Sequence, residues 1–300
     1  MSSFKIEITR NAIITPFVFI VRVIVFLWCL ALPAHAASKW QTGLGYKARL
    51  LEGTQQANGS YKAALQIVLD EGWKTYWRTP GENGIPPKLD FSGSDNLSDI
   101  VLHWPAPVVF QDATGTGIGY KKHLTLPFDI RPEVSGKDVT LHLAAFFGVC
   151  AQICVPADVA LRAHFSPRDL PQNDLPQSDQ HQIDQALQNV PHASSGTGFD
   201  IADARFQSGL EDEKVILDLK LPAGTGQITV LTEGPEDWYF DPLSIKHDNA
   251  ATPQDSAPQA IKIHVPLYRY ERGAGLSGDE RLVVTVITET MAVEKTILLK

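Results

Sequence analysis

Cysteine is scarce in this 300-residue chain, with three in all, too few for a disulfide-dense mini-scaffold or a four-thiolate zinc site. Positive charge is in deficit as well. Twenty-six Lys and Arg face 34 Asp and Glu, a formal net charge of −8, which argues against a footprint for nucleic acid or anionic lipid. Beyond the N-terminal segment no apolar run approaches the ~20 residues needed to cross a bilayer, and long helical periodicity is missing. What the chain does have is 44% hydrophobic residues, 22 Gly and 20 Pro. That composition describes ordered, turn-rich material with room for about two domains of ~100–150 residues.

The first 36 residues read as a secretory signal. Lys5 and Arg10 lie near the start, Val23–Leu32 is apolar, and Ala34-His35-Ala36 offers a small-x-small site, which predicts cleavage after Ala36. Pro16 and Arg22 interrupt the longer apolar stretch and leave roughly ten clean residues, which disfavours an uncleaved anchor. Trp28 precedes Cys29 where a lipid-attachment signal wants a small residue. The segment holds Lys5, Arg10, Arg22 and Glu7, so the mature chain carries −10 and keeps two cysteines. A soluble protein of a bacterial periplasm, where disulfides persist, is the expected setting.

Two β-rich halves follow. From 37 to 165, short alternating runs separated by turn residues predict an all-β sandwich. Tyr46–Leu51 and Tyr61–Leu69 flank Asn58-Gly59 as a first hairpin, and Leu124–Ile130, Val139–Phe147 and Val159–Phe165 are further strands. Pro80, Pro86, Pro87, Pro105 and Pro107 confine their surroundings to loops or sheet edges. From 166 to 198 the composition turns to Pro, Gln, Asp and Ser, a linker in which Ile183, Leu187 and Val190 recur at helical spacing behind a Ser178 cap. From 199 to 300 alternation returns in Val215, Leu217, Leu219 and Leu221 and in Ile261, Ile263 and Val265, with Leu282–Ile287 and Val293–Leu299 as a closing pair. The fold expected is all-β: two immunoglobulin-like sandwiches joined by a polar linker.

Chemistry concentrates at Cys150 and Cys154, within Phe146-Phe147-Gly148-Val149-Cys150-Ala151-Gln152-Ile153-Cys154-Val155-Pro156. A ring of five residues is worth about 2 kcal/mol in a chain-entropy account, against ~4.7 for a loop of about 100, so the pair is a poor staple. Reversible exchange suits it better. Two alternatives stay open: an inert local disulfide, and a copper or zinc site completed by a histidine such as His123 or His142, although no local spacing supplies that ligand. Neighbouring sequence holds no Lys or Arg to favour a thiolate, and the apolar flanks disfavour it, which leaves activation to a partner's thiol.

Several motifs together resemble one family. They are Trp73-Lys-Thr-Tyr76-Trp77-Arg78-Thr-Pro80-Gly81-Glu-Asn-Gly84-Ile-Pro86, then Trp104-Pro105-Ala-Pro107, Gly119-Tyr120 and Gly148-Val-Cys150-x3-Cys154-Val-Pro156. The chain resembles the exported N-terminal region of the DsbD/ScsB thiol:disulfide interchange proteins over about 40–165, and its two-domain layout resembles the ScsB branch. The resemblance implies an immunoglobulin-like domain in which Cys150 and Cys154 are the redox pair, exchanging electrons with periplasmic thioredoxin-fold partners and needing no cofactor. DsbD spaces its cysteines more widely and continues into a membrane domain and a thioredoxin-like domain. A chain without them implies a shuttle that draws on a separate membrane electron donor of the DsbD/CcdA type. For the lid or partner face the candidates are Tyr120, Phe147, Pro156 and the Pro80–Pro87 loop.

The remaining signals read more plainly. Trp73, Tyr76, Trp77 and Trp104 suit core packing better than a partner face. Gly115-x-Gly117-x-Gly119 reads as a flexible turn and Glu211-Asp212-Glu213 as solvated loop charges, while the second half shows no catalytic cluster.

Overall fold

Residues 38–82, 84–112, 115–167, 177–194, 198–209, 212–222, 224–246, 259–269 and 276–300 are described by a computed structural model. The expected signal segment with its cleavage site, and Glu211, lie outside them. Eleven strands build the first half: β1 (Gln41–Gly43), β2 (Tyr46–Gln55), β3 (Tyr61–Leu69), β4 (Lys74–Gly81), β5 (Lys88–Asp90), β6 (Leu97–Leu102), β7 (Val108–Asp112), β8 (Gly115–Lys121), β9 (His123–Pro132), β10 (Val139–Cys150) and β11 (Cys154–Phe165). They form two antiparallel sheets, ordered β1-β2-β3-β9-β6 and β11-β10-β4-β8-β7, with β5 beside β10.

Period-two burial explains why these segments are strands. Ala63, Leu65 and Ile67 of β3 meet Leu124, Leu126 and Phe128 of β9, and from the other sheet Leu141, Leu143, Phe147 and Val149 of β10 close on them in one core. Each large side chain so buried contributes roughly 1.5–3 kcal/mol. The Asn58-Gly59 turn joins β2 to β3 as expected: Gly59 has φ 84°, and the Asn58 side chain accepts the Ser60 amide at 3.1 Å. Pro80 lies inside β4, in the stretch between the pairings of Tyr76 and Gly81 where the register shifts and the ladder needs no amide donor.

A helix, α1 (Gln177–Gln188), follows. Ile183 is fully buried against Leu51 and Ala64, on the face of the first sheet turned away from the core, with Leu187 beside them. The helix therefore docks on the first sandwich. Arg49 pairs with the buried Asp179 at 3.1 Å, and the Thr54 amide donates to Gln180 at 2.9 Å. Ser178 stands within the first turn rather than at the cap, and Val190 falls beyond the last one.

The second half holds β12 (His192–Ala193), β13 (Asp200–Ser208), β14 (Glu213–Leu221), β15 (Gln227–Glu233), β16 (Trp238–Phe240), β17 (Leu243–Lys246), β18 (Gln259–Arg269), β19 (Arg281–Ile287) and β20 (Ala292–Leu298). Its sheets run β12-β20-β19-β15-β17 and β13-β14-β18-β16 around a second core that includes Val215, Leu217, Leu219, Ile263 and Val265. Glu213 corrects one expectation. It is no solvated loop charge but the first residue of β14, and its carboxylate takes two hydrogen bonds from Arg269, at 2.6 and 2.7 Å, with both side chains about 95% buried. The partner that makes burial tolerable lies 56 residues away.

Residues 37–300 make one compact unit. Leu231 and Ile287 of the second half pack against the first core. Arg78, stacked 4.3 Å above the Trp77 ring, reaches across to Glu233 at 2.6 Å and Glu294 at 2.5 Å, and the Thr79 hydroxyl donates to Glu233 at 2.6 Å. Burial opposes the Arg78 charge, yet the two carboxylates outweigh it and hold the guanidinium pKa above its usual value.

Candidate functional site

β10 and β11 pair through twelve positions, from Val139 opposite Phe165 to Cys150 opposite Cys154. The cysteines are thus the last rung of a long hairpin, with Cα atoms 4.1 Å apart and the sulfurs joined as a disulfide. Ala151, Gln152 and Ile153 make the tip, where the Ala151 amide donates to the Ile153 carbonyl at 3.1 Å. The two sulfur carriers differ in access: Cys150 is 1% exposed, whereas Cys154 stands in the open and Ile153 is 65% exposed.

Alternation decides which residues share the sulfurs' face. β4 places Lys74 opposite Cys150, and β8 places Lys121 opposite Lys74 and Gly119 opposite Tyr76. Directly opposed residues of an antiparallel pair project to the same side. Cys150, Lys74, Tyr76 and Lys121 therefore lie on one surface, away from the core. Tyr76, itself 2% exposed, donates its hydroxyl to Cys150 Sγ at 3.1 Å and lies 3.4 Å from Cys154 Sγ. Phe110 of β7 and Ile85, from the segment that follows β4, complete a small apolar cluster with Tyr76 and Cys150, so the expected Pro80–Pro87 loop begins as strand and only its later part reaches the sulfurs' face. The Phe110 and Tyr76 ring centroids are 6.2 Å apart, and the Lys74 and Lys121 ammonium groups stand 4.7 and 5.8 Å from the Phe110 centroid.

Two expectations change here. The Gly115-x-Gly117-x-Gly119 run is strand β8, not a flexible turn. A Cβ on Gly117 would sit 2.2 Å from the Phe110 ring, and one on Gly119 only 2.0 Å from the Thr75 carbonyl oxygen. Glycine here is a matter of clearance, which lets an aromatic ring lie flat on the sheet. Gly148 serves the same end on β10, since its Cβ would meet Ile85 at 2.8 Å and Tyr76 at 3.1 Å. The second change concerns charge. No Lys or Arg neighbours the cysteines in sequence, but strand pairing brings Lys74 and Lys121 to their face.

The residues named in advance separate by face. Cys150 and Cys154 meet. Pro156 pairs with Gly148 and shares their side of the sheet. Tyr120 and Phe147 belong to the core side: Tyr120 is buried, with its hydroxyl donating to the Pro105 carbonyl at 2.8 Å, and Phe147 packs edge-on against Tyr46 at 5.2 Å. Burial holds the Tyr120 phenol well above its ordinary pKa. Trp77 is core, and Trp73 and Trp104 pack against it, as expected of the aromatic group. Tyr76 alone of that group turns to the sulfurs, and sequence offered only its alternation with Trp77 as a sign. His142 is eight positions from Cys150 along β10, some 26 Å of strand, and His123 opens onto a cleft beside α1. Among the described residues no three or more His, Cys, Asp or Glu gather as a metal-binding group, and no helix is long and apolar enough to cross a membrane.

Comparison with known proteins places this geometry. Residues 47–166 match the family described as "Thiol:disulfide interchange protein DsbD, N-terminal". The fold resembles the crystal structure of the N-terminal periplasmic domain of ScsB from Proteus mirabilis, with a TM-score of 0.62 and 22% identity, over 87% of this chain and 98% of that one. No curated protein matches. The matched residues are the sandwich that carries the disulfide, and residues 47–166 thus form a DsbD N-terminal-like domain within an all-β chain.

Proposed function

We propose that this chain is a periplasmic thiol:disulfide interchange protein that cycles the Cys150–Cys154 bond with thioredoxin-fold partners. The observation that carries the reading is the unequal access of the pair: Cys154 open to a partner, Cys150 covered beneath Tyr76. A partner thiolate attacks Cys154 Sγ, the intramolecular S–S bond breaks, and Cys150 leaves as a thiolate that accepts the Tyr76 hydrogen bond. The partner's second thiolate then attacks its own sulfur in the mixed disulfide and releases Cys154 as a thiolate. Two electrons have passed to this chain and the partner is oxidised; the same steps reversed deliver them onward. The family match supports this chemistry, and the pattern of residues 1–36 supports export. Reducing equivalents would come from a separate membrane donor of the DsbD/CcdA type.

A single-cysteine trap tests it. Cys150→Ser should leave Cys154 to accumulate a mixed disulfide with a thioredoxin-fold protein in periplasmic extract, whereas Cys154→Ser should accumulate little. A pair that stays closed in excess dithiothreitol, or a Cys150→Ser chain that forms no covalent complex, would return the disulfide to an inert role.

A further inference from the structure

Any protein that exchanges with the pair has to bring a sulfur to Cys154, so the surface around that residue is covered at each encounter. A specific interface takes ~800 Å² from each partner, a patch ~30 Å across. Two features adjoin the sulfurs, the hairpin tip and a groove that shares Phe110 with the Cys150 cluster. Ile153 is 65% exposed at the hairpin tip, next to Cys154. Beyond Tyr76 and Phe110 lies a groove of about 1030 Å³, bounded by Phe110 and Glu82 on the first half and by Tyr239, Asp241 and Tyr268 on the second. Tyr268 is 43% exposed, its ring is 6.0 Å from that of Tyr239, and the Tyr239 hydroxyl donates to Asp241 at 3.1 Å.

Groove chemistry favours one kind of visitor. Two carboxylates and two tyrosines line an open gap, a setting that attracts Lys or Arg through charge and through the ring faces together. The nearest cations, Lys74 and Lys121, stand at Phe110 on the way to the sulfurs. Arg78, bound to Glu233 and Glu294, ties together the halves that form the two walls, so docking spends little on ordering them.

We propose that the second half is a working part of the docking surface. A thioredoxin-fold partner bonded to Cys154 buries Ile153 and sets a basic side chain in the groove, among Glu82, Asp241, Tyr239 and Tyr268. The inference rests on the redox reading and gives the second sandwich a recognition role.

The test uses the oxidised mature chain and two reduced eight-residue peptides, each with one cysteine at one end and either two lysines or two glutamates at the other. Eight extended residues span ~26 Å, about the breadth of the patch such a partner covers. At low salt the lysine peptide should form its mixed disulfide at least threefold faster than the glutamate peptide. That ratio should collapse in Glu82→Lys/Asp241→Lys and in 0.5 M salt. Ile153→Ser should slow both peptides several-fold. Dithiothreitol, which needs no docking, should reduce every variant at the wild-type rate, and that rate also reports an intact fold. Equal peptide rates in the wild type, or a ratio that survives charge reversal, would overturn the inference. Failure of dithiothreitol to open the bond would instead overturn the redox reading.

Discussion

Tyr76 holds a hydrogen bond to the sulfur that must depart when the disulfide is attacked at Cys154. A donor to a charged acceptor is worth ~1.5–3 kcal/mol, and the bond strengthens as negative charge gathers on Cys150. Tyr76→Phe keeps the ring against Phe110 and Ile85 and removes only the hydroxyl. It should slow reduction by dithiothreitol about tenfold with little change in thermal stability, as measured by stopped-flow and a melting curve. An unchanged rate would reduce Tyr76 to a packing residue. Both cysteines could be singled out from spacing and flanks alone. Tyr76, Lys74 and Lys121 could not, because what brings them to the sulfurs is pairing between strands more than seventy residues apart, or between β4 and β8, and local sequence does not encode which strands become neighbours.

Strands β4, β8 and β10 make the site by being flat where flatness is needed. Gly119 has no room for a methyl group, since the obstacle is the Thr75 carbonyl, part of the neighbouring backbone and unable to swing aside. Gly119→Ala should therefore cost at least ~2 kcal/mol in a denaturant titration, at the upper range for overpacking. Gly148→Ala, which presses mainly on side chains, should cost less and act on the Tyr76 contact. The period-two pattern made nine of the described strands legible, including β9, β14 and the β19–β20 pair, and left others such as β4, β13 and β15 unread. It failed at β8 because three glycines carry no hydropathy signal and mimic a turn. Glu213 was misread for a related reason: its charge pointed to solvent, and the Arg269 that pairs with it comes from β18, 56 residues on.

Across the whole molecule, Arg78 of the first half bonds to Glu233 and Glu294 of the second. Arg78→Met would leave Glu233 and Glu294 facing one another without it. The expected loss is roughly 1–3 kcal/mol, less than for a fully buried pair because all three side chains keep part of their surface in water. Small-angle scattering should show a wider distribution of shapes, and the preference for lysine peptides should weaken while reduction by dithiothreitol persists. Retained stability and an unchanged scattering profile would show that apolar contacts through Leu231 and Ile287 suffice. Two β-rich halves were readable from composition, but their mutual grip was not, since Arg78, Leu231 and Ile287 find their partners across the halves only once the chain has folded.

The disulfide closes the end of a ladder already held by eleven other rungs. Opening it breaks none of those rungs. If the pair cycles as proposed, a carrier built this way passes through many rounds of oxidation and reduction while offering proteases and aggregating neighbours the same coat.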